Sequence, residues 1–303
     1  MLIPPGHEFH SSRGAAQLSL KKISLIGVGL IGGSWMRAIR QANECQTIMG
    51  CGRQLENLEK AKQLGVIDDF THDPAEAVEQ ADLVVLAVPL GAIENIVRKI
   101  KPVLSSKTII TDVGSAKGSV VDAVKNVYGF VPTNFVPGHP IAGTEQSGVE
   151  ASFVTLFNNR RVILTPLENT SEQALSLVKH LWQVAGAEVI EMGVEHHDSV
   201  LAATSHLPHL LAYTLVDMLA HMESNSEIFK YAAGGFRDFT RIASSDPTMW
   251  HDICLANDKA LLPMLEQYIE QLQTIKEAVS NNDSESMMKV FQHAKESRDK
   301  FVG

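Results

Sequence analysis

The sequence has few cysteines, few aromatic residues, little positive charge and no long apolar run. Its 303 residues include three cysteines, 6% aromatic residues, and 26 Lys and Arg against 35 Asp and Glu, a formal net charge of -9. Without a basic surplus, the protein is not expected to bind nucleic acid or a membrane surface, because both present anionic phosphates. The longest apolar run, Leu83 to Ile93, is interrupted by Pro89 and Gly91. It is far shorter than the ~18 residues that a membrane helix needs.

The cysteines and the N-terminal segment bear on the cellular compartment. Cys45, Cys51 and Cys254 are odd in number and form no Cys-x-x-Cys pair, which favours free thiols in a reducing compartment. The first 20 residues lack the basic-then-apolar pattern of a signal peptide and are predicted to be a weakly structured tail. We therefore expect a cytoplasmic protein.

Short apolar segments alternate with segments of helical apolar spacing over the first two thirds of the chain. The predicted strands are Ile23–Ile26, Thr47–Met49, Leu83–Val88, Thr108–Val113, Arg161–Leu164 and Glu188–Glu191. The predicted helices between them are Ser34–Ala42, Leu55–Leu64, Ala92–Ile100, Gly118–Val127 and Ser171–Val184. This alternation predicts an α/β fold, a doubly wound parallel sheet of the Rossmann type over residues 21–192. The last two strands are expected to extend the same sheet.

The remaining residues, 193–303, show only helical spacing and are predicted to form an all-helical domain. Its longest segments are Leu207–Met222, Thr248–Glu277 and Ser284–Lys295. Apolar residues on nearly all sides of Leu210–Ala220 predict a helix buried on several sides, as in a dimer interface.

A glycine fingerprint connects the first strand to the first helix. In the segment Gly27-Val28-Gly29-Leu30-Ile31-Gly32, the first glycine permits a tight turn and the second lets a pyrophosphate approach the backbone. The third lets helix and strand pack closely, so the phosphates can lie at the positive end of the helix. This pattern predicts a nicotinamide dinucleotide cofactor.

The choice between NAD and NADP depends on a position ~20 residues further on, where NAD-preferring sites carry an acid. The sequence there is Gly50-Cys51-Gly52-Arg53, without a carboxylate. Arg53 can pair with a 2′-phosphate or stack on the adenine, or it is a solvated residue at a helix start. We expect NADP, or the use of both cofactors. Val88 and Pro89 are placed on the nicotinamide side by position alone.

Two polar segments follow predicted strands, at the edge where parallel sheets bind ligands. They are Asp112–Lys117 and Gly138–Glu145, and the helical half adds Ser205–His209 and Gly234–Arg241. The histidine pairs His196-His197 and His206/His209 have no third ligand at metal spacing, so no metal site is predicted. His209 is expected in the pocket, and the other three in structural or surface positions.

These segments closely resemble the prephenate/arogenate dehydrogenase family from about Ile23 to at least Trp250. The motifs that carry the resemblance are VGSAKG, GHPIAGTEQSG, SHLPH and GGFRDFTRIASSDPTMW. The resemblance implies a catalytic His139 that hydrogen-bonds the substrate C4 hydroxyl, with Ser115 as its partner. It implies that Arg241 grips a substrate carboxylate. It also implies pocket positions at Thr144, Glu145, His209 and Gly234, and a homodimer formed through the helical domain.

The chemistry of prephenate agrees with this interpretation. Its oxidation needs a base near neutral pKa and a cationic anchor for a dianion, roles that suit His139 and Arg241. An acidic limb in the rate is then expected near the ordinary histidine value of ~6.5. Each residue has a structural alternative: a turn histidine for His139, an ion pair with Asp238 or Asp246 for Arg241, and a helix N-cap for Ser115.

Two other functions remain open from the sequence. One is a β-hydroxyacid-type dehydrogenase, which shares the architecture but uses a lysine in the helical domain. The other is a nucleotide-sensing module that has lost its chemistry. The polar residues kept at the strand ends argue against the second.

Overall fold

A computed structural model describes residues 20–144, 146–223 and 225–302. The strands are β1 (Leu20–Ile26), β2 (Cys45–Cys51), β3 (Asp69–Thr71), β4 (Leu83–Leu86), β5 (Ile109–Asp112), β6 (Phe135–Val136), β7 (Gly138–Pro140), β8 (Arg161–Leu164) and β9 (Glu188–Glu191). The predicted tail lies outside the described residues, except for Leu20, which begins β1.

Helices alternate with these strands and then continue alone. They are α1 (Leu30–Gln41), α2 (Leu55–Gln63), α3 (Pro74–Val78), α4 (Ile93–Ile100), α5 (Lys117–Tyr128), α6 (Glu172–Val184), α7 (Val194–Leu201), α8 (Leu207–Ala220), α9 (Asn225–Lys230), α10 (Gly234–Thr240), α11 (Pro247–Ala256), α12 (Asp258–Ser280) and α13 (Ser284–Val302). A π-helical segment, Ala202–His206, joins α7 to α8. Within the described residues, every regular element after β9 is a helix.

The main sheet has six parallel strands in the order β3-β2-β1-β4-β5-β6. This is the strand order of a dinucleotide-binding Rossmann sheet, whose direction of winding reverses between β1 and β4. Strand β4 is buried along its whole length, because helices cover both faces of a parallel sheet. The predicted α/β fold with a helical C-terminal part is therefore confirmed.

The last two predicted strands do not extend this sheet, and that prediction was wrong. Strands β8 and β9 pair with each other in parallel, and β8 pairs antiparallel with the three-residue β7 in a separate sheet. Helix α6, which connects β8 and β9, packs against the main domain. Its Trp182 stacks on Trp35 of α1 with ring centroids 3.7 Å apart. Both indoles are completely buried.

The helical part differs from the sequence-based expectation at one place. The predicted segment Thr248–Glu277 is divided into α11 and α12 by the buried Asn257. Within one chain only Leu207 and Ala212 of the 14 residues of α8 are buried, so the burial of this helix on several sides, as in a dimer interface, stays a prediction. Among the described residues, no helix is both long and apolar enough to cross a membrane.

Candidate active site

The Gly27–Gly32 loop has a geometry that only glycine allows at two positions. Gly27 has a φ of +96°, and a Cβ added there would lie 2.2 Å from the carbonyl oxygen of Ala87. A Cβ on Gly32 would lie 2.7 Å from Cδ1 of Leu25, so this glycine lets α1 pack against β1. Nothing lies within 4 Å of the Cβ position of Gly29, which leaves the turn open to a ligand.

The N-terminus of α1 is suited to an anion. Its N-cap residue is Gly29, and no side chain caps the helix, so the amides of the first turn, with Leu30 and Ile31, keep their capacity to donate. Val88, beyond the end of β4, lies beside Gly27, since its Cγ1 is 3.0 Å from the Cβ position of that glycine. Pro89 is exposed and comes directly before a 3₁₀ turn. Strands β1 and β4 are neighbours, so these residues lie at the switch point where a dinucleotide fits.

Arg53 is exposed in the connection between β2 and α2. Helix α2, which follows this connection, is joined to the glycine loop by Asn57, which donates to the carbonyl of Val28 over 2.7 Å. Its amide oxygen accepts a hydrogen bond from the backbone of Val149. Arg53 therefore lies in a connection whose following helix is bonded to the glycine fingerprint.

His139 lies on strand β7 rather than in a loop, paired with Ile163 of β8, and is 8% exposed. The ammonium group of Lys117 is completely buried and forms an ion pair with Asp112. That ammonium also donates to the carbonyl of Gly138 over 2.6 Å. Burial lowers the pKa of His139 well below its usual range, and the positive charge of Lys117 acts in the same direction. The imidazole of His139 is therefore neutral near pH 7.

His139 contacts a second buried histidine from the helical part. Its Nδ1 is 2.9 Å from Nε2 of His197, and Nδ1 of His197 is 2.7 Å from Oδ1 of Asp198. The Asp198 carboxylate also accepts hydrogen bonds of 2.8 Å from the backbone amides of Lys117 and Gly118, at the start of α5. These bonds, with that from His197, hold the pKa of the Asp198 carboxyl below its usual range although burial raises it.

The helical part places three more aromatic rings next to this group. His206 is 1% exposed, and its Nδ1 is 2.9 Å from Nδ2 of Asn257, which also donates to the carbonyl of Asp198. His209 stacks on Trp250 with ring centroids 3.5 Å apart. Burial lowers the pKa of His206 to about 4 and, with a smaller effect, that of His209.

Arg241 lies on the exposed side of this ring cluster. It begins the 3₁₀ turn after α10, and its positive charge also lowers the pKa of His209. Tyr213 of α8 fixes the end of this turn by donating to the carbonyl of Ser245 over 2.6 Å. Arg241 therefore lies near His209.

The other expected site residues lie around these groups. Ser115 is half-buried in the loop between β5 and α5, and it does not cap α5, whose first amides bind Asp198. Thr144 is exposed, and its hydroxyl accepts from the amide of Gln146. Gly234 is exposed at the start of α10. Glu145 lies outside the described residues.

Sequence reasoning missed the partners of His139. His197 was expected in a structural or surface position, whereas the structure places it against His139, and Asp198 and Asn257 were not predicted at all. Of the other two histidines given that expectation, His196 is exposed and His206 is buried. The one available signal was the polar Asn257 within an apolar helical pattern. In the described residues, no three His, Cys, Asp or Glu side chains are arranged to hold a metal ion.

Known proteins share both halves of this architecture. The family model for the nucleotide-binding domain of prephenate dehydrogenase matches residues 36–191, and that for its dimerization domain matches residues 193–293. Cyclohexadienyl dehydrogenase of Zymomonas mobilis is 39% identical over 281 residues, covering 92% of this chain and 95% of the relative. Prephenate dehydrogenase of Bacillus subtilis is 39% identical over 281 residues, covering 91% of this chain and 75% of the relative.

A solved structure agrees over nearly the whole fold. The crystal structure of Aquifex aeolicus prephenate dehydrogenase, in complex with hydroxyphenyl propionate and NAD+, has a TM-score of 0.86 and 38% identity. The match covers 94% of this chain and 99% of that one. With its Rossmann sheet, glycine fingerprint and helical C-terminal part, the chain belongs to the prephenate dehydrogenase family.

Proposed function

We propose that this chain is a nicotinamide-dependent dehydrogenase that oxidatively decarboxylates prephenate to 4-hydroxyphenylpyruvate, in tyrosine biosynthesis. The observation that carries the proposal is the buried His139, in contact with His197, at the junction between the nucleotide-binding sheet and the helices; burial holds its pKa well below its usual range. The Bacillus subtilis relative is named a prephenate dehydrogenase, and the Zymomonas mobilis relative a cyclohexadienyl dehydrogenase. They favour this function over a β-hydroxyacid dehydrogenase or a nucleotide-sensing module.

The residues divide the chemistry between them. A bound nicotinamide would accept the hydride that leaves C4 of the substrate. A neutral His139 can accept the hydrogen bond, and then the proton, of the C4 hydroxyl as the carbonyl forms. Ser115, in the loop after β5, is proposed as a second partner of this hydroxyl or of His139. Loss of carbon dioxide then makes the ring aromatic.

The anionic groups of the substrate need a cation whose charged end can contact them. Lys117 is excluded as the anchor, because its ammonium group is completely buried against Asp112. We propose Arg241, whose planar guanidinium can bind a carboxylate at two points. His209, Thr144, Glu145 and Gly234 are proposed to line the pocket around it.

The cofactor is a nicotinamide dinucleotide held at Gly27, Gly29 and Gly32. We propose that Arg53 favours NADP, or allows both cofactors, because the connection after β2 offers no carboxylate to the 2′ position of the ribose. Its exposure leaves it able to reach that position. Because the Aquifex aeolicus structure contains NAD+, the rate with NADP has to be compared with the rate with NAD.

The direct test is absorbance at 340 nm after mixing the protein with prephenate or arogenate and with NAD or NADP. Reduction of a cofactor that depends on prephenate is expected. Turnover of arogenate at a comparable rate would extend the proposal to both substrates. Absence of turnover with all four pairs, from protein shown to be folded, would contradict the proposed function.

We also propose that the chain forms a homodimer through the helical part. Helix α8 is rich in apolar residues, yet most of them are not buried within one chain, and Met218 is 53% exposed. Sedimentation should give twice the mass of one chain, and Met218→Glu should shift the protein toward monomer. The three free thiols support the predicted cytoplasmic location.

A further inference from the structure

We propose that His197, oriented by Asp198, is a positioning residue that holds His139 in the tautomer with its proton on Nδ1. His139 then presents Nε2 as the acceptor for the substrate hydroxyl. The inference rests on the proposed function for its catalytic meaning, and on the three contacting side chains for its structural basis. It assigns a role to a histidine that the sequence alone left as structural.

The direction of each hydrogen bond follows from the carboxylate. Asp198 is ionised and can only accept, so the Nδ1 atom of His197, 2.7 Å away, must carry a proton. Burial lowers the pKa of His197, so this ring is neutral and its Nε2 atom is an acceptor. The atom 2.9 Å from it, Nδ1 of His139, must therefore be the donor.

The remaining nitrogen of His139 is then fixed as an acceptor. His139 is itself neutral, so its Nε2 atom carries a lone pair, and no described residue forms a hydrogen bond with it. In an isolated neutral imidazole either nitrogen can carry the proton. The contact with His197 removes this freedom and gives the tautomer that the reaction requires.

The Asp198 carboxylate cannot rotate away from this arrangement. The two carboxylate oxygens accept from the backbone amides of Lys117 and Gly118 over 2.8 Å each. The main-chain carbonyl of Asp198 accepts from the side-chain amide of Asn257 over 2.9 Å. A side chain from the helical part is thereby fixed to the start of α5 in the nucleotide-binding domain. The tautomer of His139 consequently depends on correct docking of the two halves.

Two substitutions of His197 separate positioning from general structural support. His197→Gln places an amide oxygen near the former Nε2 atom, where it can accept from His139, but it loses the bond to Asp198. His197→Asn places its amide near the former Nδ1 atom, where it can still donate to Asp198, but it cannot reach His139. The exposed neighbour His196→Asn is the matched control on the same helix.

The positioning role predicts a clear order of rates with prephenate. We expect His197→Asn to lose on the order of 10- to 100-fold in kcat, because the Nδ1 donor of His139 is left unpaired in a buried site. His197→Gln should retain most of the rate, and His196→Asn all of it. KM for prephenate and the dissociation constant of the cofactor should change little in all three. Equal losses in both His197 variants, or a faster Asn variant, would overturn the proposal.

A measurement without substrate keeps this result separate from the proposed function. In protein labelled with ¹⁵N-histidine, the shifts of His139 should report a protonated Nδ1 and an unprotonated Nε2 at pH 7. His197→Asn should lose this pattern and His197→Gln should keep it. The opposite tautomer in the wild-type protein would refute the inference, even if prephenate is turned over. The expected tautomer with no turnover would leave the inference standing and contradict the proposed function.

Discussion

Replacing His139 by Asn tests whether this residue is the base, and the structure makes the substitution conservative. The Asn amide nitrogen can lie near the former Nδ1 atom, where it can still donate to Nε2 of His197. The lone pair of Nε2, which faces the substrate in our proposal, is lost. The variant therefore removes the acceptor and leaves the buried contact between the two halves in place.

The size of the effect follows from the surroundings of His139. A positioned general base contributes about 10²- to 10⁴-fold to the rate. Because the pKa of His139 is well below its usual range, it is a weak base, and we expect the lower part of that range. A fall in kcat of about 10²- to 10³-fold corresponds to ~3–4 kcal/mol of transition-state stabilisation. KM for prephenate should stay near the wild-type value, since the proposed anchor lies elsewhere.

The pH profile gives a second measure, and here the structure changes the expectation from sequence. Only neutral His139 can accept the proton, so the rate falls as pH drops through its pKa. That pKa lies well below ~6.5, so the acidic limb of kcat/KM should not occur at the ordinary histidine value. Burial is the largest cause of this low pKa, and the neighbouring titratable groups His197, Lys117 and His206 lower it further.

The assay is initial rate against prephenate concentration at each pH, followed at 340 nm, with unfolding checked at the lowest pH values. Wild-type kcat/KM should stay flat through pH 6.5 and decline only at lower pH. The Asn variant should lose this decline together with the rate. A variant with near-native kcat, or with the same acidic limb, would show that His139 is not the base.

Three other substitutions test the surrounding proposals. Arg53→Asp should lower NADP affinity by about tenfold to a hundredfold, because a charge-assisted bond to the 2′-phosphate is lost; unchanged binding of both cofactors, measured by fluorescence, would contradict this role. Arg241→Lys should raise KM for prephenate with cofactor affinity unaltered, because an ammonium cannot bind at two points; normal binding of both ligands would make Arg241 structural. His206 has a folded-state pKa of about 4, so unfolded chains bind its proton below pH ~6.5 and stability falls from there down to about pH 4. His206→Asn should reduce the change in the free energy of unfolding with pH in this range by about 1.4 kcal/mol per pH unit. Denaturation at several pH values that gives the same pH dependence in both proteins would contradict the low pKa of His206.

Local patterns were enough to predict the main architecture. Strands β8 and β9 have the bounds that the sequence predicts, Arg161–Leu164 and Glu188–Glu191, because short apolar segments between turns identify strands without tertiary information. Their sheet could not be predicted in the same way. Its third member, β7, has three residues including Pro140, and it is a strand only because β8 pairs with it.

The site followed the same division between local and long-range information. The fingerprint Gly27–Gly32 is contiguous, so its chemistry can be inferred from spacing alone. The contact between His139 and His197 joins residues 58 positions apart, and no periodicity relates them. Likewise, Asn257 interrupts a helical pattern in the sequence, but its bonds to Asp198 and His206 require the folded chain.

The net charge of -9 requires that an anionic substrate be held by local cations. Lys117 and Arg241, two cations discussed for the proposed site, have different roles. Lys117 pairs with Asp112 and donates to the carbonyl of Gly138, so it fixes the residue next to His139. Its positive charge also lowers the pKa of His139, which favours the neutral imidazole. Arg241 is exposed and belongs to the helical half. The proposed base and anchor therefore lie in different halves, and catalysis requires both in one arrangement. Contacts such as that of Asp252 with the amide of Gly91 hold the halves together, so the geometry of the reaction depends on their docking.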